Sequence, residues 1–346
     1  MVPLRRWLAS LLLVLLVVGV GLLGIPGIAD ASRASIRKGS LTPLVSSPPG
    51  AEEVRVGLYS MSVYDLDLSS NTFYADAYVW LRWSGQIDPV ATLEFTNMVE
   101  EWGKLQEPIL EEPRQLPDGS NYQLLRVEGR FVQPFSLADY PLDGHALSIL
   151  IEDTTHGLNQ LTYVIDRQSS GVSSTFQIPG WQLAGWKAEL LQHSYGTDFG
   201  DVLEPSRYAV ARFAIEIRRP ISFFVSKLML PLVIVVVAAL VALLVNPRLI
   251  DARLALPLGA LLSAIFLQKS YADSLPDLGY LVLMDRIYLL AYPLILVVLI
   301  RSVRAYMVPH PPTDAELVRI RRADRKVMAV LGLLFVLGTV AITLLR

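Results

Sequence analysis

The sequence predicts two unlike halves: an antiparallel β-sandwich in water, then a domain of four membrane-spanning helices. Three observations lead there. Charge is divided: residues 32–217 carry 13 Lys/Arg against 24 Asp/Glu, whereas residues 218–346 carry 15 against 7. The overall charge of −2 hides this split between an acidic half and a basic one. Residues 52–219 alternate apolar and polar with the period of a strand. The basic half holds four apolar runs near the length of about 20 residues that a helix needs to cross a bilayer. A mean hydropathy of +0.44 and 53% hydrophobic residues are high for a soluble chain.

From the N-terminus, "MVPLRRWLASLLLVLLVVGVGLLGIPGIADASR" places Arg5 and Arg6 before a long apolar run. Ala29-Asp30-Ala31 gives a small-residue cleavage pattern, so residues 1–31 read as a secretory signal peptide cut after Ala31. The alternative is an uncleaved anchor helix. "GVGLLG" in this run matches a glycine-rich fingerprint, but no strand precedes it, so it carries no nucleotide reading.

Residues 32–219 form the predicted sandwich. In "TFYADAYVWLRW", Phe73, Ala75, Ala77, Val79, Leu81 and Trp83 share one face. In "YAVARFAIEIRR", Ala209, Ala211, Phe213, Ile215 and Ile217 do the same. "HALSILIED" and "QLTYVIDR" alternate similarly, and "LSSN", "SGQIDP", "LPDGSN" and "IPG" supply turns between runs. Many short strands without a long amphipathic helix argue for two packed sheets. There is no cysteine, so disulfides, thiol catalysis and thiolate metal sites are excluded. The last strand runs through Arg218-Arg219-Pro220 directly into the first apolar run, leaving almost no linker.

Residues 220–346 form the membrane domain, with spans at about 221–245, 250–271, 280–303 and 327–345. The turnaround "NPRLIDAR" holds Arg248 and Arg253, and "RSVRAYMVPHPPTDAELVRIRRADRK", which starts at the end of the third span, holds seven Lys/Arg. The loop around "SYADSLPDLG" is acidic, with one Lys269 at its edge. Positive charge favours the cytoplasmic side, which puts the first and third loops inside and both mature chain ends outside. Within "DARLALPLGALLSAIFLQKSYAD", Ala255, Gly259, Leu262, Phe266, Ser270 and Asp273 recur at steps of four and three and stack on one helical face. Small residues on such a face suit close helix packing as well as a lined channel.

Four stretches, taken in order, resemble the pentameric ligand-gated ion channels, and in particular the bacterial members without the Cys-loop disulfide. They are "VGLYSMSVYDLDLSSNTFYADAYVWLRW", "QPFSLADYPLDGHALSILIED", "IRRPISFFVSKLMLPL" and "DARLALPLGALLSAIFLQKSYADSLPDLGYLVLMD". The resemblance covers nearly all of the mature chain. It implies an immunoglobulin-like extracellular sandwich that binds ligand and a four-helix transmembrane channel domain. It further implies a homopentamer in the plasma (inner) membrane of a bacterium. The partners implied are membrane lipid, four further copies of the chain and a small-molecule or ion agonist. No cofactor and no nucleic acid are implied.

The resemblance also assigns residues. The stripe Ala255, Gly259, Leu262, Phe266, Ser270 and Asp273 becomes pore lining, with Asp251 at its foot. Leu262 and Phe266 then form apolar rings that stop ions by dewetting. Asp251, Asp273 and the acidic sandwich favour cations. Asp67, Tyr140, Pro141, Asp143, Arg219 and Pro276 fall at the gating junction, where Asp143, or less directly Asp67, would pair with Arg219. His156, Tyr195 and Phe199 fall in the agonist-binding loops. Tyr195 and Phe199 suit a cationic ligand, whereas Asp198, Asp201 and Glu204 suit a hard cation such as calcium.

Three departures from the family pattern stand out. Pro257 lies in the first turns of the pore helix, where it removes a donor and is expected to kink it. The family's W-x-P segment has no clean match, although Trp102 lies nearby. The loop "EDTTHGLNQ" offers His156 where relatives bring tryptophan, which weighs against an amine agonist. His145, His156, His193 and His310 form no metalloprotease pattern and no G-x-S-x-G occurs, so an enzyme is not expected. The competing function is a non-conducting membrane receptor of the same architecture.

Overall fold

A computed structural model describes residues 38–100, 105–197, 199–200, 207–307 and 313–346. The predicted signal peptide, Trp102, Asp198, Asp201, Glu204 and His310 lie outside the described residues. The described residues divide into two compact units, one within residues 38–136 and 144–220, the other within residues 137–143 and 221–346.

The first unit is a β-sandwich. One sheet is ordered β1 (Ser40–Pro43), β12 (Gln182–Ser194), β13 (Arg207–Arg218), β9 (Gly144–Asp153) and β4 (Leu93–Phe95). The other is ordered β10 (Leu161–Ile165), β2 (Glu52–Asp67), β3 (Thr72–Trp83), β8 (Asn121–Val132) and β5 (Met98–Val99). β11 (Gly171–Val172) joins β2, while β6 (Leu105–Pro108) and β7 (Arg114–Gln115) join β8. The period-two pattern explains the layers. Phe73, Ala75, Ala77, Val79, Leu81 and Trp83 are all buried, as are Ala209, Ala211, Phe213, Ile215 and Ile217 on β13. Phe73 and Phe131 stack at 5.5 Å between ring centres, with Phe95 edge-on to Phe131 at 6.3 Å. The sandwich is not wholly antiparallel. β10 and β11 run parallel to β2, because the chain crosses between sheets after β9 instead of turning back in a hairpin.

The second unit contains four helices of membrane-crossing length: α1 (Ile221–Leu244), α2 (Ile250–Ala272), α3 (Leu283–Tyr306) and α4 (Asp314–Leu344). α1 opens with a π-helical stretch, Phe224–Met229, just before Pro231. A proline ring collides with the carbonyl four residues earlier, here that of Lys227, and a widened turn accommodates it. α3 is the most buried helix, through Met284, Ile287, Tyr288, Ala291, Ile295 and Val298 at helical spacing. α4 leaves Leu333, Val336, Leu337 and Val340 exposed, an apolar face suited to lipid. α2 runs unbroken through Pro257, whose ring is buried on the packed face. α4 begins at Asp314, well before the apolar run expected at 327. Thr313 caps it: the Glu316 N–H donates to the Thr313 hydroxyl at 3.4 Å, and the Thr313 N–H donates to the Glu316 carboxylate at 2.9 Å. This makes the chain a multi-pass membrane protein.

Candidate functional site

α2 has two faces. Arg253, Pro257, Ala260, Ala264 and Tyr271 are buried against the other helices. Asp251, Ala255, Gly259, Leu262, Phe266, Ser270 and Asp273 are exposed on the single chain. Leu262 and Phe266 are 55% and 64% exposed, a large apolar surface in mid-helix. A Cβ placed on Gly259 would meet no atom within 4 Å, so nothing within the chain requires a small residue there. Gly338 on α4 differs: its Cβ would lie 2.6 Å from the Leu290 side chain. Packing within the bundle therefore explains Gly338 and does not explain Gly259. At the far end of the stripe, Lys269 Nζ reaches Asp273 Oδ1 at 2.5 Å, one turn along.

The loop Leu137–Asp143 belongs to the helical unit. Its Tyr140 ring stacks on Tyr271 of α2 at 6.2 Å. The Leu283 N–H donates to the Ala138 carbonyl at 2.8 Å, and the Met284 N–H to the Tyr140 carbonyl at 3.2 Å. These two donors lie at the N-terminus of α3, where a helix lacks internal partners. The Leu137 N–H in turn donates to the Tyr280 hydroxyl at 3.2 Å. Tyr140-Pro141 is a cis peptide, and Asp143 is buried. Pro276 lies in the short loop between α2 and α3. In the sandwich unit, the Arg219 guanidinium stands over the Trp181 ring at 4.3 Å. Asp67 accepts from the Ser70 hydroxyl and the Ser69 N–H, each at 2.8 Å, and these bonds lower its carboxyl below the ordinary range.

The agonist-loop residues sit at the end of the β4–β9–β13–β12 sheet. Tyr195 packs edge-on to Phe199 at 5.2 Å and to Tyr208 at 5.7 Å, and lies 3.9 Å from the His193 ring. Its hydroxyl donates to Glu152 Oε1 at 2.7 Å, and His193 Nδ1 approaches Glu152 Oε2 at 2.9 Å. Glu152 is 2% exposed. Burial pushes its carboxyl above the ordinary range; the bonds from Tyr195 and His193 oppose that shift, and Glu94, its cross-strand partner, adds to it. His156 is held elsewhere: its N–H and Nδ1 lie 2.6 and 3.0 Å from Asp153 Oδ1, within its own loop. The structure thus brings Tyr195 and Phe199 together, and turns His156 toward Asp153.

Sequence reasoning missed Glu152, His193 and Tyr208. The signal was present, because His193 and Tyr195 are two apart on one strand face, and Glu152 ends an otherwise apolar strand. It also missed a buried ion cluster in the helical unit. Asp324 of α4 accepts from Arg253 Nη2 at 2.6 Å and from Arg301 Nε at 2.8 Å, with Arg253 and Asp324 both fully buried. Arg253, where the predicted turnaround meets the predicted second span, lies inside α2, on its packed face.

A β-rich domain followed by four membrane-length helices, in this order, is the fold of the pentameric ligand-gated ion channels. No protein-family model matches the chain. The chain is a weak homologue of a "Proton-gated ion channel" from Gloeobacter violaceus, 21% identical over 309 residues that cover 83% of each protein. The likeness is to a channel and not to an enzyme.

Proposed function

We propose that the chain is one subunit of a homopentameric, cation-selective channel, with α2 lining the pore and the proton as its stimulus. The observation that carries the reading is the division of α2. Its packed face is buried within the chain, while a continuous stripe from Asp251 to Asp273 is left for other copies and water. Five such stripes around an axis give a carboxylate foot, two apolar rings at Leu262 and Phe266, and a polar mouth. The cytoplasmic side takes the basic loops, and the sandwich and both mature chain ends lie outside.

The Glu152–His193–Tyr195 cluster supports proton gating, and the relative is itself named a proton-gated channel. A raised carboxyl takes up a proton more readily than the same group in water. Acid therefore favours the conformation that keeps Glu152 buried. As pH rises through its folded pKa, the buried group ionises and that conformation loses stability relative to one that hydrates it. Glu152→Gln, neutral at every pH, mimics the protonated form. Current recordings across a pH series are the test. Wild type should open on acidification, and Glu152→Gln should show a flattened response poised toward the acid state. A wild-type response retained in full by Glu152→Gln would remove this cluster as the sensor. No wild-type current at any pH would favour the non-conducting receptor.

A further inference from the structure

Beside the Glu152 cluster the chain covers a sheet edge with its own N-terminal strand. β1 pairs antiparallel with β12: Ser40 lies opposite Ser194, Leu41 opposite His193, Thr42 opposite Gln192 and Pro43 opposite Leu191. The Leu44 N–H continues the ladder and donates to the Leu190 carbonyl at 3.0 Å. Hydrogen-bonded and non-hydrogen-bonded pairs alternate along antiparallel strands. The Leu44 bond therefore turns the Gln192 and Ser194 N–H groups toward β1, and those of Leu191 and His193 toward β13. Pro43 falls where an N–H would point away from β12, so its missing donor costs the ladder nothing. Slipped by one residue, the proline would meet a position that needs a donor, so the sequence admits this register and not its neighbour.

The start of β1 is fitted to the turn that follows β12. A Cβ on Gly39 would lie 2.8 Å from the Ser194 carbonyl oxygen and 3.3 Å from the Tyr195 Cα. Gly196, at φ +68°, would bring its own Cβ to 3.1 Å from the Lys38 carbonyl oxygen. Glycine on both sides of one contact lets the two backbones meet closer than side chains permit. The attachment is nevertheless light. Ser40, Leu41, Thr42 and Pro43 are all exposed. Beyond Leu44, the chain toward β2 passes through exposed Val45, Ser46 and Ser47. Main-chain bonds hold the strand, without buried side chains, and such a segment opens locally at low cost.

We propose that β1 is a releasable strap on the β12–β13 pair, and that its docking holds His193 and Tyr195 against Glu152. Both residues lie at the end of β12 that β1 covers. Leu41 stands directly opposite His193 on the same face, where cross-strand Cβ atoms lie roughly 4.5–5.5 Å apart. With β1 docked, this end of β12 has a hydrogen-bonded strand on each side. With β1 released, β12 becomes the edge strand and β13 alone restrains its last residues. His193 and Tyr195 are then free to lift from Glu152, whose carboxylate they bond at 2.9 and 2.7 Å. The strap governs access to this cluster whatever stimulus the chain answers, and it does not depend on the chain conducting ions.

The test is hydrogen exchange of the detergent-purified full chain, resolved to single amides, with diethyl pyrocarbonate labelling of histidines alongside. Thr42→Pro deletes a ladder donor, and Gly39→Ala drives a Cβ onto the Ser194 oxygen. Thr42→Ala keeps the donor and is the control. In both disruptive variants the Gln192 and Ser194 amides should exchange about tenfold faster, the scale of one backbone hydrogen bond. The Leu191 and His193 amides should accelerate less, because β13 still accepts them. His193 should be labelled faster, while buried His145 on β9 keeps its wild-type rate. Unchanged exchange along β3 and β8 separates release of the strap from unfolding of the sandwich. Thr42→Ala should match wild type throughout. Unaltered exchange at Gln192 and Ser194 in both disruptive variants would overturn the proposal. So would faster exchange there with His193 labelling unchanged, because β1 would then be a passive edge.

Discussion

Asp324→Asn should destabilise the helical unit severely, although it changes one atom type in a side chain of the same shape. Arg253 and Asp324 are both fully buried, and their 2.6 Å contact joins α2 to α4. Arg253 Nε and Nη1 have no hydrogen-bond partner among the described residues, so Asp324 carries nearly the whole compensation of that charge. Removing one member of a buried pair costs about 3–5 kcal/mol, because the other charge is stranded out of water. At a few degrees per kcal/mol, the thermal midpoint should fall on the order of 10 °C. Arg301→Gln is the graded control. Arg301 is 17% exposed at its side chain and its loss leaves the Arg253–Asp324 contact in place, so its cost should be smaller. The double variant Arg253→Met/Asp324→Leu removes both charges and the unsatisfied nitrogens, and should recover most of the loss. The assay is the temperature at which detergent-solubilised protein leaves its size-exclusion peak. An Asp324→Asn midpoint within about 2 °C of wild type, on the conversion used above, would refute the reasoning. So would a double variant less stable than the single one.

Native mass spectrometry of detergent-purified chain should give a pentamer as its main species; a stable monomer or dimer would sink the channel reading. Leu262→Ser should favour opening by about 1–3 kcal/mol, a usual size for coupling between states, seen as leak current or a response to a weaker stimulus. Leu261→Ser, less exposed on the adjoining face, should do less, and the reverse order would mean that the helix faces the axis differently. Under a sodium chloride gradient the current should reverse near the sodium potential, and Asp251→Ala should move that reversal toward zero. An unchanged reversal would take Asp251 out of the filter.

The sandwich was legible because each strand repeats its choice every second residue. Phe73 through Trp83 on β3 leaves one assignment of faces, and burial follows it. The stripe on α2 was legible for the same reason at helical period. What escaped were features decided by partners distant in sequence. Arg253 follows Asp251 and reads as a loop charge, yet its helical phase matches Pro257, Ala260 and Ala264, which is the packed face. Its partner Asp324 lies 71 positions later, in a segment so charged that it looked like cytoplasmic linker. The Thr313-to-Glu316 spacing marks a capping box, but the apolar run begins further on, so hydropathy alone places the start of α4 too late. Pro257 lies inside the continuous helix α2, with its ring on the packed face. Glu152 and His193 lie on neighbouring strands of β13, and only the fold brings them together.

The two ends of α2 are anchored with unequal strength, and this bears on how the helix can move. Near its Ile250 end the anchor is the buried Arg253–Asp324 pair, which costs about 3–5 kcal/mol to break. Near its Ala272 end the anchor is a set of neutral donors on one carboxylate. The Tyr271 hydroxyl donates to Asp285 Oδ1, the Gln268 side-chain amide donates to the same atom at 3.2 Å, and the Val282 N–H occupies Oδ2 at 3.1 Å. Such bonds are worth about 0.5–3 kcal/mol each, and water can replace them one at a time. This end therefore yields in smaller steps than the buried ion pair, which is lost as a whole. Tyr140, on the loop Leu137–Asp143, rests against Tyr271 at this weaker end. A displacement of that loop therefore meets α2 where it yields most easily. Leu262 and Phe266 lie between the two anchors, so a helix pivoting near Arg253 would carry Phe266 further than Leu262, and both further than Asp251. In the proposed pore, the carboxylate foot would keep its position while the apolar rings widened, so the residue proposed to select the ion would be distinct from those proposed to admit it.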